Sequence, residues 1–203
     1  MKPLLRLFCG SVPLFSAIAA PLAAQQSETA QDSAEIAANE LSDNGGRIAI
    51  NIAAGDGNQQ LGAATVAIGE IAITGQNAAQ LIDTNSTRDR ATSITIGAGA
   101  LSNNSGMVSL NLTAGTHNQS ANMATLAIGN SGVVSDQMLA QSSAPTDPAG
   151  PSAQALQPSN DRIDIDDAAF AGNSGLVQMN VVGGERNSSA NTFALNISAG
   201  GEP

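Results

Sequence analysis

The chain has 203 residues and a formal charge of −10, with no tryptophan, no tyrosine, one cysteine and one histidine. So acidic a chain repels nucleic acid and anionic lipid, which sets both aside as partners. A globule built around large aromatic side chains is also disfavoured, whereas Ala, Ile, Val and Leu in a background of Asn, Gln, Ser and Gly suit thin, repetitive β-layers.

Residues 1–24 read as a secretory leader: Lys2 and Arg6 open it, an apolar run follows through Ile18, and Ala23 and Ala24 precede the expected cut. The apolar run is short and interrupted by Pro13 and Pro21, which argues against a retained membrane anchor. Cys9 lies ahead of most of that run, the wrong place for a lipoprotein cysteine. The mature chain then has no cysteine, so disulfides and thiolate metal sites are unavailable. It carries five arginines against 17 acidic residues, that is −12. Residues 25–35 are polar, lack clear periodicity and read as a flexible lead-in.

From Ile36 the chain writes one unit three times. Residues 36–68, 96–128 and 165–197 align without gaps, and seven of the 33 columns are identical in all three copies. These columns begin at Ile36, Asn44, Gly46, Asn51, Gly55, Asn58 and Ile68. A unit copied at this length is completed by stacking on its neighbours.

Each copy contains an alternating segment. Ile48, Ile50 and Ile52 fall on one face, with Ala49 and Asn51 on the other. Val108, Leu110 and Leu112 repeat the pattern in copy two, and Val177, Met179 and Val181 in copy three. Turn chemistry brackets this strand: Asn44 and Gly46, Asn104 and Gly106, or Asn173 and Gly175 before it, and Gly55 and Asn58, Gly115 and Asn118, or Gly184 and Asn187 after it. Glycine and asparagine tolerate positive φ, so a bend is cheap there. A second strand follows, marked by Ala64, Val66 and Ile68, by Ala124, Leu126 and Ile128, and by Phe193, Leu195 and Ile197. A third, shorter one is expected before the first turn, around Ile94 and Ile96 and around Ile163 and Ile165.

The spacers are read as linkers that loop out from the stack. Linker one, 69–95, contains NAAQLID, a candidate for one or two helical turns. Linker two, 129–164, is rich in Pro, Ser and Ala, holds Pro145, Pro148, Pro151 and Pro158, and ends in an acidic strand. Residues 198–203 form the tail. The expected fold is all-β, with three imperfect repeats stacking as a short β-solenoid of cross-β rungs.

In such a stack identical side chains sit above one another. Asn51, Asn111 and Asn180 can then form an amide ladder, while Asn44, Asn58 and their counterparts are the better candidates for plain turn residues. The expected apolar columns are Ile48, Ile50, Ile52, Val66 and Ile68; Val108, Leu110, Leu112, Leu126 and Ile128; and Val177, Met179, Val181, Leu195 and Ile197. No cap is evident beyond copy three, and an open end favours addition of further chains.

With its leader, three Gly-, Asn- and Ala-rich repeats and two unequal linkers, the chain resembles the fibre subunits of the Fap functional-amyloid system. The text INIAAGDGNQQ and LNLTAGTHNQSAN carries that resemblance. More loosely it is similar to curli subunits, through the G-x-x-N spacing of Gly55 to Asn58, Gly115 to Asn118 and Gly184 to Asn187. The resemblance implies polymerisation into cross-β fibres at the cell surface, a biofilm role, related fibre subunits as partners, and passage through the periplasm, with a chaperone, to an outer-membrane export pore. Two features depart from it: the Cys-x-x-Cys of Fap major subunits and the terminal glutamines of curli repeats are missing. Major, minor and nucleating subunits all stay open.

Enzyme parts are lacking. His117, the one histidine, occupies a turn position held by Gly57 and Arg186 in the other copies, and no cysteine, lysine or tyrosine of the mature chain can act beside it. Asp161, Asp164, Asp166 and Asp167 could bind calcium through carboxylates, but alternation favours a solvated strand face. No cofactor is expected. The reading is a secreted structural subunit that assembles by templated stacking. The alternative is a monomeric β-solenoid acting as an adhesin or binding module, weakened by the missing aromatic platform. An exported hydrolase would have to depend on His117, which His117→Ala tests.

Overall fold

The computed structural model describes residues 31–82, 90–143 and 160–198. The leader, lead-in residues 25–30, the segment 83–89, the proline-bearing part of linker two (144–159) and residues 199–203 lie outside the described residues.

Every described element is a strand, and the strands fall into three rungs. The first holds β1 (Gln31–Ile36), β2 (Gly45–Ala54) and β3 (Gln59–Ile82). The second holds β4 (Ala91–Ile96), β5 (Ser105–Thr116) and β6 (Gln119–Ser143), and the third β7 (Arg162–Ile165), β8 (Ser174–Glu185) and β9 (Ser188–Ser198). Corresponding strands pair in parallel into three open sheets, β1-β4-β7, β2-β5-β8 and β3-β6-β9. The pairing keeps the register of the repeat: Ile36 meets Ile96, Asn111 lies between Asn51 and Asn180, and Ile128 lies between Ile68 and Ile197. The chain is a short stack of cross-β rungs, all-β as its alternation implied.

Period-two alternation gives the middle sheet two unlike faces. Ile48, Ile50, Ile52, Val108, Leu110 and Leu112 turn toward the β1-β4-β7 sheet and meet Ala34, Ile36, Ile94, Ile96 and Leu101 in an apolar core. The opposite face carries Asn51, Ser109, Asn111, Thr113, Gln178 and Asn180 against the β3-β6-β9 sheet, and this second interior is polar and hydrogen-bonded. Burying so much amide costs little only because most of the groups find partners, Ser109 Oγ and Gln178 Oε1 being exceptions.

The structure corrects the expected boundaries in two places. Residues 31–35, expected in the flexible lead-in, belong to β1, where Asp32, Ala34 and Ile36 alternate inward. The linkers do not loop out where they are described. β3 runs on through Ile82 and β6 through Ser143, so NAAQLI, residues 77–82, is strand and not helical turns. The reason is pairing: Ile71 to Ile82 satisfies its main chain against Ser131 to Ser143 of the next rung, whereas one or two isolated helical turns are marginal in water. The extended limb lies back on its own strand. Gln76 Nε2 donates to Thr65 Oγ1 at 2.9 Å, and Gln119 Nε2 donates to Gln80 O and Ser142 O, each at 3.0 Å. Ala72 and Ile82 are buried, as are Ala121, Met123 and Ala127 of the facing limb.

Candidate stacking site

Two glycine columns let the rungs approach. Gly106 and Gly115 have φ of 121° and 116°, a region L side chains rarely adopt. A Cβ on Gly106 would overlap the Gly46 carbonyl oxygen, and one on Gly115 the Gly184 carbonyl oxygen. Conformation and clearance therefore both demand glycine.

Inside the polar layer, Asn111 Nδ2 donates to Asn51 Oδ1 at 2.8 Å, and Asn180 Nδ2 donates to Asn111 Oδ1 at 2.9 Å. The structure thus brings Asn51, Asn111 and Asn180 into one chain of amides. A second column, absent from the sequence reading, runs beside it. Asn191 Nδ2 donates to Asn122 Oδ1 at 3.0 Å, and Asn122 Nδ2 crosses to Asn111 Oδ1 at 3.1 Å. Its first-rung position is Gly62, which removed it from the invariant columns. The signal was present in copies two and three alone.

The turn asparagines do more than bend the chain. Positive φ falls on their neighbours, Asp43, Asn103 and Gly172 before the first and Gly57, His117 and Arg186 before the second. The asparagine side chains reach across rungs instead. Asn104 Oδ1 accepts from Asn44 N at 2.8 Å while its Nδ2 donates to Leu41 O at 2.9 Å; Asn173 does the same to Asn104 N and Leu101 O. The second column points the other way. Asn58 Oδ1 accepts from Asn118 N at 3.0 Å and its Nδ2 donates to Gly115 O at 2.8 Å; Asn118 repeats this on Asn187 N and Gly184 O. One column reaches toward the preceding rung and the other toward the following one.

At the ends of the stack each amide folds back. Asn44, with no rung before it among the described residues, donates to Ser42 O, and Asn187 donates to Gly183 O. Apolar columns open at the same ends. Ile94 and Leu110 are 0% exposed in the middle rung, against 50% for Ile163 and 39% for Met179 in the third. Val66, Ile68, Leu195 and Ile197 are exposed too, with Leu126 and Ile128 between them. Val66, Leu126 and Leu195 line the wall of a surface groove of about 550 Å³ at the mouth between the middle and outer sheets, so they do not belong to the main core.

The full length of this pattern also matches a known family. The profile of the functional amyloid protein FapB/FapC family covers residues 17–198. The chain belongs to this family. Neither a curated protein nor a solved structure matches it. It is a family of functional amyloid proteins, and the described residues of this member form a parallel stack of near-identical rungs.

The remaining candidates do not gather into a reactive centre. Asp161 Oδ1 accepts from Thr92 N and Oγ1, Asp164 pairs with Arg162 at 2.6 Å, and Asp166 Oδ1 accepts from Ala168 N. Among the described residues no group of three or more His, Cys, Asp or Glu is placed to hold a metal ion. His117 sits in the left-handed turn position with φ of 56° and lies over Gly57.

Proposed function

We propose that this chain is a secreted structural subunit of an extracellular amyloid fibre and adds end to end by templated stacking. The observation that carries the reading is the complementarity of the two ends. The first rung offers Asn44 toward a preceding rung, and the third offers Asn187 toward a following one. The counterpart main-chain groups are Asn173 N and Phe170 O on the third rung and Asn58 N and Gly55 O on the first, by the repeat register of the contacts already made inside the chain. A first rung placed on a third rung can therefore repeat these asparagine hydrogen bonds of an internal step. The contact is heterologous and does not close on itself, which gives a filament rather than a ring. Stacking also covers the apolar side chains that only an end rung exposes.

The partners in this reading are other copies of the chain and related fibre subunits, with a periplasmic chaperone and an outer-membrane pore serving export to the cell surface and biofilm matrix. Asn51, Asn111 and Asn180 act as the stacking ladder, and the apolar columns supply burial. Fibre diffraction with a thioflavin T time course on residues 25–203, diluted from denaturant, tests the reading. Reflections near about 4.7 Å and about 10 Å, with growth accelerated by seeds, are expected. A persistently monomeric β-rich species would overturn it in favour of a solitary surface solenoid.

A further inference from the structure

We infer that the junction between successive chains is gated by protons, because it alone sets acid against acid. This rests on the end-to-end stacking proposed above. Within the chain three columns read acid, threonine, acid. Asp32 pairs with Thr92, and Thr92 donates both its N–H and its hydroxyl to Asp161 Oδ1, at 3.1 and 2.7 Å. Glu35 pairs with Thr95, which pairs with Asp164. Asp56 holds the place before Gly57, its carbonyl accepting from His117 N, and Thr116 of the same column pairs with Glu185. The middle rung thus separates every acid from the next by a neutral residue that can donate a hydrogen bond.

A new chain removes that separation. Its first rung on the third rung below brings Asp32 to Asp161, Glu35 to Asp164 and Asp56 to Glu185, at the parallel-strand spacing of about 4.8 Å. Like charges directly opposite one another oppose pairing, and two carboxylates at one site hold a proton more readily than two charges. Among the described residues the nearby cations number three. Arg90 already spans Asp32 at 2.8 Å and Asp56 at 3.5 Å, Arg162 pairs with Asp164 at 2.6 Å, and Arg186 follows Glu185 in the chain. Among the described residues six carboxylates thus meet three guanidinium groups, an excess of acid. Asp32 is 4% exposed and cannot swing away to solvent. His117, in the adjoining column, is common to every chain compared below. Closing the junction therefore takes up protons, and elongation rises as pH falls through the carboxylate range.

Seeded elongation of the mature chain at about pH 7.5 and about pH 5 tests this with two variants of equal charge change. D161N/D164N/E185Q neutralises the junction. E40Q/D43N/D167N removes three charges from columns in which the acid meets only Ala, Asn or Gly. The wild-type rate should rise roughly tenfold on acidification; the junction variant should grow at the faster rate at both pH values, and the second variant should keep the wild-type ratio. D161T/D164T/E185T, which copies the middle rung into the third, should behave as the junction variant and guards against misfolding of the amide one. Equal pH ratios in wild type and both junction variants would overturn the inference while leaving templated stacking intact. Equal effects of junction and control variants would assign the response to net charge and overturn it as well. Absence of seeded growth in every chain at both pH values would overturn the stacking reading, and the junction with it.

Discussion

Truncating the asparagine ladder at its centre and at its end separates a continuous stack from a solitary one. Asn111 is fully buried, and its carboxamide makes four hydrogen bonds: to Asn51 Oδ1 and Leu61 O as donor, and from Asn122 Nδ2 and Asn180 Nδ2 as acceptor. In Asn111→Ala, Asn122 and Asn180 keep other acceptors in Leu110 O and Ala121 O. Asn51 Oδ1 and Leu61 O lose the Asn111 donor. Once a preceding chain covers them, two acceptors stripped in this way cost about 2–4 kcal/mol, so the concentration of soluble chain at equilibrium with fibre should rise about 30-fold or more. Asn51 is exposed at the end of an isolated stack, and Asn51→Ala costs that stack about 0.5–1 kcal/mol through its bond to Asn111. In a continuous fibre Asn51 Nδ2 also donates to the preceding chain's Asn180 Oδ1, and the cost doubles to about 1–2 kcal/mol, raising soluble chain about tenfold. Sedimentation of fibres followed by assay of the supernatant reads both values. A change of less than about threefold for Asn51→Ala, with Asn111→Ala behaving as stated, would show that the ladder stops at the chain end.

Other perturbations read different parts of the same stack. Gly115→Ala forces a Cβ into the Gly184 carbonyl at a φ of 116° and should raise the soluble concentration at least about 100-fold in the sedimentation assay. Gly62→Asn extends the second amide column into the first rung, where an added Cβ meets Ser109 Oγ at 3.4 Å and Asn51 Oδ1 at 3.7 Å; there is room, and soluble chain should fall about threefold. Gln141→Ala removes the 2.7 Å bond from its Nε2 to Gln80 Oε1 and should speed proteolysis of the 69–82 and 129–143 limbs in fibres without stopping seeded growth. Raising salt from about 0.01 M to about 0.3 M shortens the screening length several-fold. It should at least halve the lag of residues 25–203, whose formal charge is −12.

The rungs were legible because their residues alternate and recur. Ile48, Ile50 and Ile52 announce one apolar face, and two further copies in the same register make the parallel pairing of β2, β5 and β8 readable before any coordinate is known. The polar second layer was half legible. Asn51 stands inside an alternating strand, where a turn residue has no place, so its ladder could be foreseen; Asn122 and Asn191 could not, since Gly62 breaks their column. The turn asparagines were misjudged for a physical reason. Their composition looks like positive-φ chemistry, but the left-handed residues are Asp43, Asn103, His117 and Arg186, and the value of Asn lies in an amide that can accept and donate across a rung at once.

Beyond Thr74 the limb was hidden by a single residue. Ungapped alignment holds through Thr74 opposite Val134 and then fails, because the second linker carries one residue more and Gln76 pairs with Gln137. Beyond that bulge the match resumes, with Gln80 against Gln141, but no repeat search restricted to a constant offset can see it. Bulges are tolerated where a strand changes direction, and this one follows the bend after Gly69 at which the limb folds back on its own rung. The sequence rule that fails here is narrow: a linker is assigned by loss of register, and register can be lost to one inserted residue while every later hydrogen bond survives. The inner rung needs no such correction, because any slip there would take Asn111 from between Asn51 and Asn180 and set Leu110 or Leu112 into the amide layer.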